Sequence, residues 1–176
     1  MAGLVYLIGM MGAGKTTVGR ILAERTGRRC IDMDREIERE SGATIPEIFR
    51  EKGEPAFREM EAGLLRRLSL QEDCIISTGG GVVLARENRE ILSRTGLVVY
   101  LRVSADDVLA RTRNDTSRPN LVADDRRARI EALIEARQPL YCATADISFR
   151  SSGASPAALA SRILAHPKMK ALFQGN

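Results

Sequence analysis

The chain has 176 residues, 44% hydrophobic and 28% charged, which describes one globular domain with its own core and excludes a disordered or fibrous protein. Its net charge of +4 is spread among interleaved acids, with no basic arm, and only 4% of residues are aromatic with no Trp. Nucleic acid is therefore not an expected partner, and a pocket for small polyanions is the better account of the surplus. No apolar run approaches a membrane span, the first strand begins within three residues, and Ala2 stands where a myristoylation site needs Gly, so a cytoplasmic protein without a membrane partner is expected.

Short β-type runs alternate with helical stretches, the pattern of an α/β fold in which helices flank a parallel sheet. Leu4–Ile8 reads as the first strand, and Gly9-Met10-Met11-Gly12-Ala13-Gly14-Lys15-Thr16 follows it. This spelling matches G-x-x-x-x-G-K-[ST], the phosphate-binding loop of nucleoside triphosphate-binding proteins, in its required strand–loop–helix setting. Glycines allow backbone N–H groups to close on phosphate oxygens, and the helix start adds the positive end of its dipole. Lys15 has the reach for the β- and γ-phosphates, and the Thr16 hydroxyl suits Mg²⁺.

The first helix is expected over Thr16 to Arg25, closed by Gly27, and Arg29–Asp32 reads as a second strand ending in carboxylates. A charged helix follows from about Asp34 to Glu40. Asp32 and Asp34 are two apart, so on an extended backbone they share a face. Beside Mg·ATP one can hold the metal shell through water while the other takes the proton of an attacking hydroxyl; alternatively Asp34 merely caps its helix. Thr44-Ile45-Pro46-Glu47 has capping-box spacing, Gly53 stops that helix, and Pro55 opens another running to about Leu70.

Cys74–Ser77 is the third strand and leads into Thr78-Gly79-Gly80-Gly81, a glycine run suited to a ligand meeting backbone, or to a tight turn. Arg86–Arg94 is helical, and Leu97–Leu101 is a fourth strand, apolar on both faces and so interior. Ser104 and Asp107 cap a helix ending near Arg111. Residues 112–124 are polar and contain Pro119, which predicts a mobile loop. A long helix from Asp125 is disturbed by Pro139; Ile147–Phe149 is the fifth strand, and Ser155-Pro156 opens the last helix. The tail after Pro167 has no assignment. Cys30, Cys74 and Cys142 lack metal or disulfide spacing and read as small apolar residues. His166 is expected at the surface.

Three clusters thus fall at strand carboxyl ends, where open α/β sheets bind ligands: the phosphate loop, Asp32-Met33-Asp34, and Thr78-Gly79-Gly80-Gly81. With Phe57-Arg58-Glu59-Met60-Glu61, Arg118-Pro119 and Arg137-Gln138-Pro139-Leu140-Tyr141 they run in one order over residues 4 to 165, and in this order the chain resembles the shikimate kinase family. The resemblance implies a five-stranded parallel sheet flanked by helices, of the P-loop NTPase and nucleoside monophosphate kinase-like type. It also implies one kinase domain over residues 1–176 and a monomer that takes ATP and shikimate as substrates, with Mg²⁺.

The resemblance further assigns roles. Gly12, Ala13, Gly14, Lys15, Thr16 and Thr17 would hold the nucleotide phosphates, Arg111 and Pro156 would flank the adenine, and Thr16 and Asp32 would serve the metal. Asp34 would bind the acceptor hydroxyls and act as, or orient, the base; Arg58 and Arg137 would grip its carboxylate, and Gly79, Gly80 and Gly81 would approach its ring. Arg118, on the lid at about 112–124, would swing in over the transferring phosphoryl. By their own spelling Arg58 and Arg137 are ordinary solvated helical arginines. Asn120 replaces the usual Leu of the lid, and Ala154 the usual Arg of the adenine-side turn. A gluconate-type or nucleoside monophosphate kinase of the same architecture is one alternative, and a non-catalytic nucleotide-binding module is another; no Asn/Thr-Lys-x-Asp segment points to a GTPase.

Overall fold

A computed structural model of the chain describes residues 3–112 and 123–174. Five parallel strands, β1 (Val5–Ile8), β2 (Arg29–Asp32), β3 (Cys74–Ser77), β4 (Leu97–Arg102) and β5 (Ile147–Arg150), form one sheet in the order β2-β3-β1-β4-β5. Among the described residues eight helices connect or cover them: α1 (Lys15–Thr26), α2 (Met33–Ser41), α3 (Ile45–Leu68), α4 (Arg86–Thr95), α5 (Ala105–Arg111), α6 (Ala123–Thr144), α7 (Pro156–Ala165) and α8 (Pro167–Gln174).

The apolar spelling of β1 follows from its place at the middle of the sheet. Leu4, Tyr6 and Ile8 face one core layer with α2, α3, α4 and α6, while Val5 and Leu7 face a second with α1, α7 and α8. All five are fully buried, and each such side chain contributes about 1.5–3 kcal/mol of burial. β4 repeats the pattern between β1 and β5, the interior position expected of it.

The helix boundaries follow from local chemistry. Thr44 and Glu47 form the expected capping box at the start of α3. Gly53, at φ 80°, breaks that helix where a stop was expected, and Pro55 resumes it, so α3 is a kinked rod. α1 ends on Gly27 in the left-handed conformation. The Ser104 hydroxyl accepts from Asp107 N at the start of α5, and Ser155 does the same for Ala158 at α7, with Pro156 in its first turn.

Several boundaries differ from expectation. α6 starts at Ala123 rather than Asp125 and runs through Pro139 as one helix. α7 is not the last helix: α8 follows, its Met169 fully buried and Phe173 lying 4.0 Å beneath the Arg28 guanidinium. His166 is half-buried, edge-on to Phe149 at 6.0 Å, its Nδ1 accepting from Lys168 N. The lid expected at 112–124 lies, but for its ends, outside the described residues, and with it Arg118, Pro119 and Asn120. Arg126 donates to the carbonyl and hydroxyl of Thr112, tying the first turn of α6 to the end of α5. Among the described residues no helix is long and apolar enough to cross a membrane. Cys30, Cys74 and Cys142 are free thiols.

Candidate active site

The strand order places the three clusters side by side, because β2, β3 and β1 are neighbours and all point the same way. Their carboxyl ends form a single rim, the place where a parallel sheet leaves room for ligands.

On the β1 side the phosphate loop takes the shape its glycines permit. Gly12 and Gly14 sit at φ 73° and 86°, left-handed values costly for other residues. Gly14 is the N-cap of α1 and its carbonyl accepts from Val18 N at 2.9 Å. The helix therefore begins with its free N–H groups turned into the loop. Ala13 is buried beneath it, and Thr17 stands exposed on the first turn. Lys15 is buried, with Nζ donating to the carbonyls of Gly9 at 2.7 Å and Met10 at 2.9 Å. Burial pushes its ammonium down to about 8, against the pull of nearby Asp34 and Asp32.

Thr16 and Asp32 meet directly: the Thr16 hydroxyl donates to Asp32 Oδ2 at 2.5 Å and lies 3.2 Å from the Ser77 hydroxyl. Asp32 and Ser77 are opposite one another in the β2–β3 register, so two strand ends converge on the first turn of α1. Sequence reading passed over Ser77; its one signal was its place at the end of β3. The other oxygen of Asp32 accepts from Asp34 N at 3.1 Å and Arg35 N at 3.2 Å, which makes Asp32 the N-cap of α2. This corrects the expectation for the pair. The helix begins at Met33, so Asp32 and Asp34 do not share a face by strand alternation. Asp32 turns to Thr16, while Asp34, in the first turn of α2, turns to the glycine run.

That run is the floor of the second half of the site. Thr78 pins it to β1, donating from its N–H and its hydroxyl to the Leu7 carbonyl at 3.1 and 2.9 Å. A Cβ on Gly79 would lie 2.7 Å from Glu61 Oε1 and 2.9 Å from Asp34 Oδ1, and one on Gly81 would overlap the Arg58 guanidinium, 2.6 Å from Cζ. Only glycine allows carboxylates and guanidinium to lie this close to backbone. A Cβ on Gly80 would lie 3.5 Å from Arg137 Nη1 and 3.5 Å from Met11 N of the phosphate loop. Asp34 from α2, Arg58 from α3 and Arg137 from α6 are thus brought to one place.

Arg58 is held by its own helix. It reaches Glu54 at 3.0 Å and Glu61 at 2.9 Å, one turn either way, and its guanidinium lies over Phe57. Glu61 is 1% exposed, and its Oε1 has no hydrogen-bond partner among the described residues. Burial raises its carboxyl above the usual range, against the charge of Arg58. Its role went unread in the sequence, although Arg58 and Glu61 stand at the i, i+3 spacing that pairs residues on a helix. Tyr141 stood in the sequence only as the last residue of the Arg137–Tyr141 motif, with no role of its own; its hydroxyl donates to the Gly80 carbonyl at 2.5 Å.

On the nucleotide side, Arg111 donates to the Gly12 carbonyl at 2.8 Å and the Ser151 carbonyl at 3.2 Å, joining the phosphate loop to the turn before α7. Pro156 is exposed at the first position of α7, beyond Gly153, which has φ 74°.

The chain has counterparts among known proteins. The shikimate kinase family model matches residues 11–168. The chain belongs to the shikimate kinase family. The shikimate kinase of Chromobacterium violaceum is 50% identical over 147 residues, 84% of this chain and 80% of the relative. That of Bordetella pertussis is 43% identical over 167 residues, covering 95% and 78%. Among solved structures, shikimate kinase from Acinetobacter baumannii in complex with shikimate superposes with a TM-score of 0.87 at 42% identity, over 92% of this chain and 90% of that one. The Aquifex aeolicus shikimate kinase gives 0.80 at 31% identity over 98% and 99%. A Sinorhizobium meliloti gluconokinase, at 18% identity and a TM-score of 0.53, shares the fold alone. Membership of the shikimate kinase family makes the chain an ATP-dependent phosphotransferase of the P-loop kinase fold, with shikimate as acceptor.

Proposed function

We propose that the chain moves the γ-phosphoryl of ATP to the 3-hydroxyl of shikimate, releasing shikimate 3-phosphate and ADP, with Asp34 as the group that takes or orients the hydroxyl proton. The observation that carries this reading is the convergence of Asp34, Arg58 and Arg137, from three separate helices, on the Gly79–Gly81 backbone beside the phosphate loop. A small carboxylic acid with hydroxyls needs such a set: planar guanidinium forks for the carboxylate, a carboxylate for the hydroxyls, and bare backbone for the ring.

In the reaction the acceptor oxygen forms a bond to the γ-phosphorus as the bond to the bridging oxygen of ADP breaks, and the hydroxyl proton passes toward Asp34. Lys15 and the N–H groups of Gly12, Ala13, Gly14, Thr16 and Thr17 bind the phosphates. Arg111 and Pro156 flank the adenine, and Arg118 neutralises the moving phosphoryl group. The Thr16 hydroxyl, the Asp32 carboxylate and the Ser77 hydroxyl are hard oxygen donors in one cluster, a set that fits Mg²⁺ held partly through water. Thr16 and Asp32 would hold it, and when bound it would offset charge on the phosphate oxygens. The same reading has one kinase domain acting as a monomer in the cytoplasm, without nucleic acid.

Coupled ADP production with Mg·ATP and, in parallel, shikimate, quinate, gluconate and nucleoside monophosphates tests the proposal. Turnover with shikimate is expected. Turnover with gluconate or a nucleotide in its place would overturn the acceptor reading, and folded protein that binds ATP without turnover would favour a binding module.

A further inference from the structure

Tyr141 is fully buried on α6, one turn after Arg137, and stacks on Tyr100 of β4 with ring centroids 4.9 Å apart and planes 26° apart. Nothing in the chemistry above uses it. A buried phenol needs a hydrogen-bond partner, and its choice is specific: the hydroxyl donates to the Gly80 carbonyl at 2.5 Å. Burial pushes the hydroxyl up to about 12, against the charge of the neighbouring Arg137 guanidinium. The phenol therefore stays protonated at neutral pH, with its proton directed at Gly80.

That placement bears on the backbone of the glycine run. The carbonyl of Gly80 and the N–H of Gly81 belong to one rigid peptide plane and point opposite ways. Holding the carbonyl toward Tyr141 thus turns the Gly81 N–H away from Tyr141, in a run whose Gly81 lies against the Arg58 guanidinium. A glycine run resists rotation of its peptides poorly, so such a plane needs an external tether. The same peptide faces the acceptor arginine of α6, since Arg137 Nη1 would lie 3.5 Å from a Cβ on Gly80.

We infer that Tyr141 is a positioning residue for the acceptor: its hydroxyl orients the Gly80–Gly81 peptide beside Arg137 and so tunes shikimate affinity without touching the substrate. This rests on the acceptor-site reading above, and the ring itself acts only as the mount, stacked on Tyr100.

The test compares wild type, Tyr141→Phe and Arg137→Ala in steady-state kinetics with shikimate and ATP varied separately, together with thermal unfolding. Tyr141→Phe keeps the ring and its stack. It is expected to raise the KM for shikimate about five- to tenfold, the scale of one lost hydrogen bond, while the KM for ATP and kcat stay within about twofold, a margin below the effect of one such bond. A raised shikimate KM in Arg137→Ala with none in Tyr141→Phe would overturn this inference and leave the acceptor site standing. An unchanged shikimate KM in Arg137→Ala would instead remove that site and the inference with it. Loss of the folded state in Tyr141→Phe, or equal rises in both KM values, would make the hydroxyl a packing element only and would also overturn it.

Discussion

Glu61 Oε2 lies 2.9 Å from Arg58 Nη1, with the carboxylate 1% exposed and the guanidinium side chain 25% exposed. The pair is asymmetric: the acid is committed to the interior, while the base reaches out to the rim. Desolvation is the largest influence on Glu61 and raises its pKa above 4.5. A carboxyl whose pKa is raised on folding binds its proton more tightly in the folded state. Its contribution is therefore most favourable at or below pH 4.5 and is lost as pH rises through the elevated folded value. Glu61→Gln removes that titration. The thermal midpoint of wild type should fall relative to Glu61→Gln as pH rises from 4.5; parallel pH profiles for the two proteins would refute it.

Gly81→Ala should act through Arg58. The added methyl would overlap a guanidinium held between Glu54 and Glu61, and the side chain must swing off its seat. Losing a charge-assisted grip on a carboxylate costs about 1.5–3 kcal/mol, so the shikimate KM should rise about 10- to 100-fold. The ATP KM should stay near wild type. Equal effects on both substrates would show that the glycine run is a structural turn and not an acceptor floor.

Lys15→Ala and Asp34→Ala should each lower turnover at least about 100-fold, the usual scale for a positioned charge or a general base. Lys15→Ala should not lower the thermal midpoint, since burying an ammonium opposes folding and its two bonds go to loop carbonyls. Single-turnover phosphoryl transfer and calorimetric unfolding on the same preparations decide the matter. Turnover within a few-fold of wild type in either variant would take that residue out of the reacting centre.

Asp32 caps α2, and substitution can separate that duty from the metal role proposed for it. Asp32→Ala removes the α2 N-cap, worth about 1 kcal/mol, and should lower the midpoint by about 2–4 °C for a domain of this size. Asp32→Asn keeps an amide oxygen for capping but loses the charge. It should melt like wild type yet need more Mg²⁺ for half-maximal turnover, and it should bind the metal nucleotide more weakly by titration calorimetry. Identical Mg²⁺ titrations for the Asp32→Asn variant and wild type would leave Asp32 with the capping role alone.

What could be read from the chain before its structure was what local chemistry dictates. The phosphate loop, the capping box at Thr44 and the buried strands each carry their signal within a few neighbouring residues. The Asp32–Asp34 pair was misjudged because alternation assumes an extended backbone, whereas the Asp32 carboxylate itself caps the next N–H groups and starts α2 at Met33. Arg58 and Arg137 were singled out by resemblance alone, since their own spelling is that of any solvated helix. Glu61, Ser77 and Tyr141 owe their importance to tertiary partners, Gly79, Thr16 and Gly80, far away in sequence. The helix α8 was overlooked because it is held by Met169 packing into the second core layer and by Phe173 beneath Arg28, neither of which is a local signal.

The strand order has a further implication for how such an enzyme changes its diet. Among the described residues, nearly all the groups proposed for the acceptor come from one contiguous stretch, Asp34 through Gly81, riding on the β2–β3 flank, while those proposed for the nucleotide ride on β1 and the β4–β5 flank. Among them only Arg137 crosses over. A new acceptor can thus be accommodated by exchanging that block and retuning one arginine, while the donor half is inherited intact. The architecture is a socket with a replaceable bit.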